Sequence, residues 1–364
     1  MLPAHARSEK PMGIKNNMIN RKNTGNSFFK GTAGALLLMV AAQCIIIGIN
    51  TGSVSEIFPR LLQAWLNILR NNTYTGVIAL GMCMVIVSGG IDLSVGSMTC
   101  AIGAVLMYLL DGTVGLLAAW GITGAPAYII AIAASLLLGF LLGALNGVLI
   151  GYGRIPPFVA TLGTMKIFRS VTQQLTMQFN PVVPSGYKQI ASAKIGNQVL
   201  LPIVYWVAVT VIMSIILKKT SFGRKVVAVG SNEKAAEYSG INIKSVKCMG
   251  YAVCGLMCGI AAVVYVARIG SMDFANAGSG YEMEAIAAAV VGGTSMSGGR
   301  GSIAGAFLGM LVVGAINNVL NMMGAPTFLC DAVRGLIIIV AVLVQNPDRG
   351  SIGKLFLPKK KSQN

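Results

Sequence analysis

One carboxylate, Asp92, falls between two closely spaced apolar stretches, residues 75–88 and 94–110. A charge within a bilayer costs on the order of 3 kcal/mol or more, so something must solvate it. Backbone N–H groups at the start of the next helix, with Ser94 and Ser97 nearby, would make Asp92 a structural cap. Direct contact with a polar substrate is the other reading, and the spacing favours the cap. Polar side chains also recur at helical spacing on two apolar stretches: Arg169, Thr172, Gln173 and Thr176 on one, and Gly314, Asn317, Asn318 and Asn321 on the other. Amides and hydroxyls on one face suit a water-lined path for a neutral, hydroxyl-rich solute. Interhelical hydrogen bonding accounts for the same pattern. Asn146 stands in the same class, and Lys166, beside Arg169, has the reach to snorkel to an interface.

Other chemistries find no residues. The single histidine, His5, lies in the N-terminal tail, outside any apolar stretch where a triad or metal site would need it. Cys254 and Cys258 sit one helical turn apart without a His or further Cys to complete a metal set, and read as small buried residues. No G-x-x-x-x-G-K-[ST] loop cradles a nucleotide phosphate. No chain of intramembrane carboxylates suggests proton coupling, so the energy for any pumping must come from outside the chain.

The elements that would position these residues are membrane helices. Of 364 residues, 55% are hydrophobic and 11% charged, with mean hydropathy +0.73, too few charges to cover a soluble globule. Apolar stretches at 33–49, 75–88, 94–110, 127–150, 158–178, 200–217, 249–267, 285–291, 303–319 and 328–344 give an all-α, polytopic membrane protein. It has about ten transmembrane or half-membrane helices. Residues 53–72, with Pro59, Arg60 and Arg70, read as an interfacial amphipathic segment. The domain organisation is a basic tail over 1–31, a transmembrane domain over 32–347 and a second basic tail over 348–364. The first tail is too long before its apolar run, and lacks a clear cleavage site, for a cleaved signal peptide.

The net charge of +17 follows this topology rather than nucleic-acid binding. Lys and Arg cluster in the two tails and in a central loop over 218–247, which ten crossings place on one side with Arg154 and Arg300. Both termini and that loop are therefore expected in the cytoplasm. Gly139, Gly143 and Gly147, and again Gly301, Gly305 and Gly309, repeat every four residues and let helix backbones approach. Breaks at Gly89 and Gly90, and over 292–301, place unwound backbone at membrane depth, tolerated beside a cavity or inside protein. The stretches 75–108 and 284–313 share this run–break–run pattern. Duplication and the general likeness of Gly-rich membrane helices both explain it.

Within the central loop, Ser231 or Asn232 can cap a short helix, Glu233 complements its dipole, and Gly240 supplies the left-handed residue that ends it. One short helix on a basic loop suits docking to a soluble partner.

The motifs GGIDLSVG (89–96), LNG (145–147), FVATLGTM (158–165), FGR (222–224), VGSNEKAAEYSGI (229–241) and YEMEAIAAAVVGGTSMSGGRGSIAGAFLG (281–309) closely resemble the permeases of bacterial ATP-binding cassette importers for ribose, galactose, xylose and related sugars. The likeness covers residues 67–344. It implies a multi-pass permease of the bacterial inner membrane, not an enzyme itself, that translocates a monosaccharide. The implied partners are a second permease subunit, often identical, a cytoplasmic ATPase that binds ATP and Mg, an extracytoplasmic sugar-binding protein and membrane lipid, with no nucleic acid. It also implies that the segment matching Asn232, Glu233, Ala236, Glu237, Gly240 and Ile241 is the coupling helix that seats in the ATPase. The substrate pathway is then expected near Asp92, Asn146, Arg169, Gln173, Asn317, Asn318 and Asn321. A secondary carrier or channel for a small neutral solute is the alternative.

Overall fold

The computed structural model describes residues 14–113, 115–177, 181–195 and 198–345. The tail over 348–364 and residues 1–13 lie outside them. Helix α1 runs unbroken over Ile14–Thr51, and its apolar part begins at Thr32.

The amphipathic segment forms α2, Ile57–Asn71. Two short apolar helices follow, α3 over Thr73–Val87 and α4 over Val95–Leu110, then the single turn α5, Leu116–Ala119. The long helices α6, Ala125–Gly151, and α7, Pro157–Thr176, lead to the short α8, Ser185–Ser192. A hairpin of β1, Lys194–Ile195, with β2, Gln198–Val199, is the one departure from an all-α chain among the described residues. Then come α9, Leu201–Lys219; α10, Ser221–Ser231; α11, Glu233–Tyr238; α12, Ile243–Ile269; α13, Tyr281–Val291; α14, Ile303–Met322; and α15, Thr327–Gln345.

Among the described residues, five helical stretches are long and apolar enough to cross a membrane: Thr32–Thr51, Ala125–Gly151, Leu201–Lys219, Ile243–Ile269 and Ile303–Met322. Helices α3 and α4 are apolar but shorter. Each expected apolar stretch is a helix, although fewer than the ten expected segments have full spanning length.

Helix α3 is the centre. It is apolar on every side, as a helix buried all round must be, and each of its residues except Tyr74 is buried. It stands between α12 on one flank and α13, α14 and α9 on the others. Helices α6, α7, α9 and α15 instead expose large apolar side chains such as Ile129, Leu137, Leu175, Ile212 and Leu336, the surface a bilayer would solvate.

Small residues set the closest approaches. Gly139, Gly143 and Gly147 of α6 abut the backbone of α12 at Gly255, Tyr251 and Cys248, leaving no space for a Cβ. Gly309 of α14 abuts the α13 backbone at Ala288, and Gly305 abuts Gly292 just past the end of α13; Gly301, the expected third member of the repeat, lies before α14 and meets the Val87 and Thr294 side chains instead. Cys254 and Cys258 are buried, with Gly81 of α3 packed on the Cys254 backbone.

Candidate functional site

The central loop holds two helices, not one. Thr220 Oγ1 accepts from the Gly223 amide at 3.1 Å and starts α10; Asn232 Oδ1 accepts from the Ala235 amide at 3.0 Å and starts α11. Asn242 then caps α12 through the Ser245 amide at 3.1 Å. Helix α10 was hidden in the sequence because its buried face, Gly223, Val226 and Val229, is interspersed with Arg224 and Lys225.

The six residues of α11 are held at both ends. Gly240 adopts φ +76°, and amides of Gly240 and Ile241 close the helix onto Glu237 and Ala236 carbonyls at 2.9 and 3.1 Å. Ala236 faces inward and is buried, while Glu233 pairs with Lys247 of α12. Glu237 and Tyr238 face out, and Tyr238 is 89% exposed.

Directly before α11, the last turn of α10 meets both chain breaks. The Gly299 amide donates to the Val87 carbonyl at 2.9 Å, and Gly230 sits so close to that carbonyl that a Cβ has no room. Gly298 in turn packs on Gly89 and on the Gly230 carbonyl. The breaks themselves are the same turn: Gly89 and Gly90 amides reach back to Ile86 and Val85 carbonyls, as Gly293 and Thr294 amides reach Val290 and Ala289. The unwound backbone is thus packed inside protein, of the two environments expected.

Asp92 lies in the first break and is fully buried. Its Oδ1 accepts from the Ser94 amide at 2.9 Å and the Ser94 hydroxyl at 2.6 Å. Asn146 of α6, also fully buried, donates to Ser94 Oγ at 2.8 Å and to Asp92 Oδ1 at 3.5 Å. This knot is a local turn at Ser94 that ties the residues before α4 to α6; no side chain caps the amides of α4 itself, so Asp92 is not the helix cap its spacing suggested. Asp92 Oδ2 and Asn146 Oδ1 remain buried without a protein partner.

The polar stripe of α7 divides. Thr172 and Thr176 bond back to their own helix, to the Phe168 and Thr172 carbonyls at 2.7 Å, and line an apolar recess of about 740 Å³ between α4, α6 and α7. Arg169 and Gln173 instead reach across to the loop after α12, donating to the carbonyls of Phe274 at 3.4 Å and Ala275 at 3.5 Å. That loop folds inward along α4, with Gly278 against Gly96 and Met272 against Gly103. On its exposed side, the Asn276 side chain and Ala275 amide hold the Asp273 carboxyl below its ordinary pKa.

The asparagines of α14 do line a cavity. Asn317, Asn318 and Asn321 face a half-open polar space of about 230 Å³, lined also by Asn71 and Asn72, by Tyr74 and Tyr281, and by Glu284 and Arg334. It lies at the end of α3 opposite the breaks. The seven pathway candidates are therefore not one wall: Asp92 and Asn146 form the buried knot, Arg169 and Gln173 hold the loop, and the three asparagines line the cavity. Tyr74, Tyr281, Glu284 and Arg334 were not singled out from sequence. Glu284 and Arg334, charges inside apolar helices, carried a signal that could have found them.

A family described as "Branched-chain amino acid transport system / permease component" matches residues 64–342. The chain is 36% identical over 317 residues to the ribose import permease protein RbsC of Escherichia coli (strain K12), covering 85% of this chain and 94% of that protein. It is 40% identical over 296 residues to RbsC of Bacillus subtilis (strain 168), covering 80% and 88%. It is 32% identical over 337 residues to the xylose transport system permease protein XylH of E. coli (strain K12), covering 76% and 83%. No solved structure matches the chain.

Proposed function

The chain belongs to the family of transport-system permease components that matches residues 64–342, and on that premise we propose that it is the membrane subunit of an ATP-driven importer for a monosaccharide. The relatives named for ribose import and xylose transport support the solute class. The multi-pass chain resides in the bacterial cytoplasmic membrane. Its basic central loop and both tails face the cytoplasm, as the distribution of Lys and Arg supports.

The observation that carries the coupling assignment is α11, a short helix fixed by Asn232 and Gly240 at its ends, anchored by Ala236, and presenting Glu237 and Tyr238 outward. A partner ATPase, which binds ATP and Mg, receives this helix. Two copies of the chain, identical or related, each supply one. ATP-driven closure of the ATPases displaces the α11 helices, and the two copies rock between outward-open and inward-open states. An extracytoplasmic binding protein delivers the sugar at the other end, and the path passes the loop held by Arg169 and Gln173 and the asparagines of α14.

Copurification from native membrane, followed by reconstitution with and without the copurified ATPase, tests this reading. Uptake that needs the ATPase and disappears with Tyr238→Asp supports it. Transport by the lone chain, driven by an ion gradient, overturns it in favour of a secondary carrier.

A further inference from the structure

The geometry points to the cavity between α2, α3, α13, α14 and α15 as a station for one neutral, hydroxyl-rich ring, built to exclude an amino acid. This rests on the translocation reading above and deepens it, because the family description names branched-chain amino acids while the matched relatives are named for pentoses.

The amides lining the cavity have two ends of different chemistry: a carbonyl that accepts and an NH2 that donates. Protein donors already occupy two of the carbonyls on α14. Gln43 Nε2, from the fully buried Gln43 on α1, donates to Asn318 Oδ1 at 2.9 Å, and Arg334 Nε donates to Asn317 Oδ1 at 3.3 Å. Both amides therefore offer their NH2 groups. Asn71 is fixed in the same sense, its Oδ1 accepting from Arg268. Asn72 is turned the other way, its Nδ2 donating to the Ile68 carbonyl at 2.7 Å and its Oδ1 left to accept. A wall that donates at several points and accepts at another matches hydroxyl groups, each of which does both.

Charge and shape narrow the class. Among the lining residues only Glu284 and Arg334 are charged, and they pair at 3.1 Å; Arg334 also holds Asp331 at 2.8 Å. The guanidinium is thus already shared by two carboxylates and offers little to a third. Arg268 grips Asn71 from outside the lining. A zwitterion would bring a carboxylate to a lining whose one cation is already shared, and a branched aliphatic group that leaves the amides it covers unpaired, both of which are costly. The rings of Tyr74 and Tyr281, 5.5 Å apart and inclined by 31°, supply the flat apolar surface that the C–H face of a sugar ring can cover.

Saturation-transfer NMR on the full chain in lipid nanodiscs tests this with D-ribose, D-xylose and L-leucine as probes. At least one sugar should show transfer in the wild type, and leucine none. The sugar signal should vanish in Asn317→Leu/Asn318→Leu. It should also vanish in Asn321→Trp, which fills the cavity from an exposed position and so does not depend on repacking the core. Glu284→Gln/Asp331→Asn, which leaves Arg334 without a carboxylate, should gain a leucine signal. An unchanged sugar signal in the cavity variants, leucine transfer equal to that of the sugars in the wild type, or no sugar transfer at all overturns the station. Because the isolated chain is measured, these results stand apart from the coupling assignment: ATPase-dependent uptake that survives Asn321→Trp removes only the station, whereas ATPase-independent uptake removes the importer reading.

Discussion

At the end that carries α10 and α11, three segments meet through glycines with no space for a Cβ, whereas at the opposite end five helices hold open a polar cavity of about 230 Å³. Both ends use α3 and the broken pair α13–α14. The difference lies in what fills the gap. Main-chain contact at Gly230, Gly298 and Gly299 leaves nothing to rearrange, so displacement of one segment must displace the others. Amide side chains at the far end leave room and choice of partner. The close-packed end suits transmission and the open end suits recognition.

The largest effect should come from the packed end. Gly230→Val forces a side chain into the Val87 carbonyl, an overpacking cost of about 1–3 kcal/mol or more. Uptake should be lost while ATP hydrolysis by the assembled complex persists; tight coupling retained in this variant would break the comparison.

Next, Asp92→Ala strips the buried Ser94 amide and hydroxyl of their acceptor and should cost roughly 1–3 kcal/mol. Asp92→Asn should cost less, because Oδ2 makes no bond to the protein. Thermal unfolding in detergent separates them, and equal losses would mean that the charge, rather than the bonds to Ser94, matters.

At the open end, Asn317→Leu should lower uptake about tenfold, the equivalent of one hydrogen bond of ~1.4 kcal/mol, with the melting temperature little changed. A large fall in melting temperature would show that the amide holds helices together instead. Gly240→Ala puts a Cβ at φ +76° and should destabilise α11 by about 1–2 kcal/mol. Gly240→Asn should recover part of this in a coupling assay. The smallest effect is expected of Glu233→Gln, whose half-exposed pair with Lys247 is worth at most about 1 kcal/mol and should fade with added salt.

How much of this could be read from the sequence depends on distance along the chain. Helix α11 was legible because its determinants, Asn232, Glu233 and Gly240, lie within one short stretch. The glycine repeat of α6, and Gly305 and Gly309 of α14, were legible for the same reason, whereas Gly301 meets side chains instead of a helix backbone. The cavity was legible only in its α14 wall, since Asn71, Tyr74, Tyr281 and Arg334 come from four other helices, and no local pattern brings residues 71 and 334 together. The glycine junction was seen as two separate breaks. That they meet each other, and meet Gly230, follows from packing around α3, which periodicity does not encode. Arg169, Thr172, Gln173 and Thr176 show the limit of spacing: one stripe by helical period, two sets by contact.

The loop after α12 is gripped from side chain to main chain, by Arg169 and Gln173 on the carbonyls of Phe274 and Ala275. A carbonyl is the same group whatever residue bears it. Substitutions at the exposed Ala275 therefore leave that grip intact, while substitutions at Arg169 or Gln173 remove it. The side chain at position 275 is thus free to vary without a compensating change on α7, whereas Met272 and Gly278 of the same loop, packed on α4, are not.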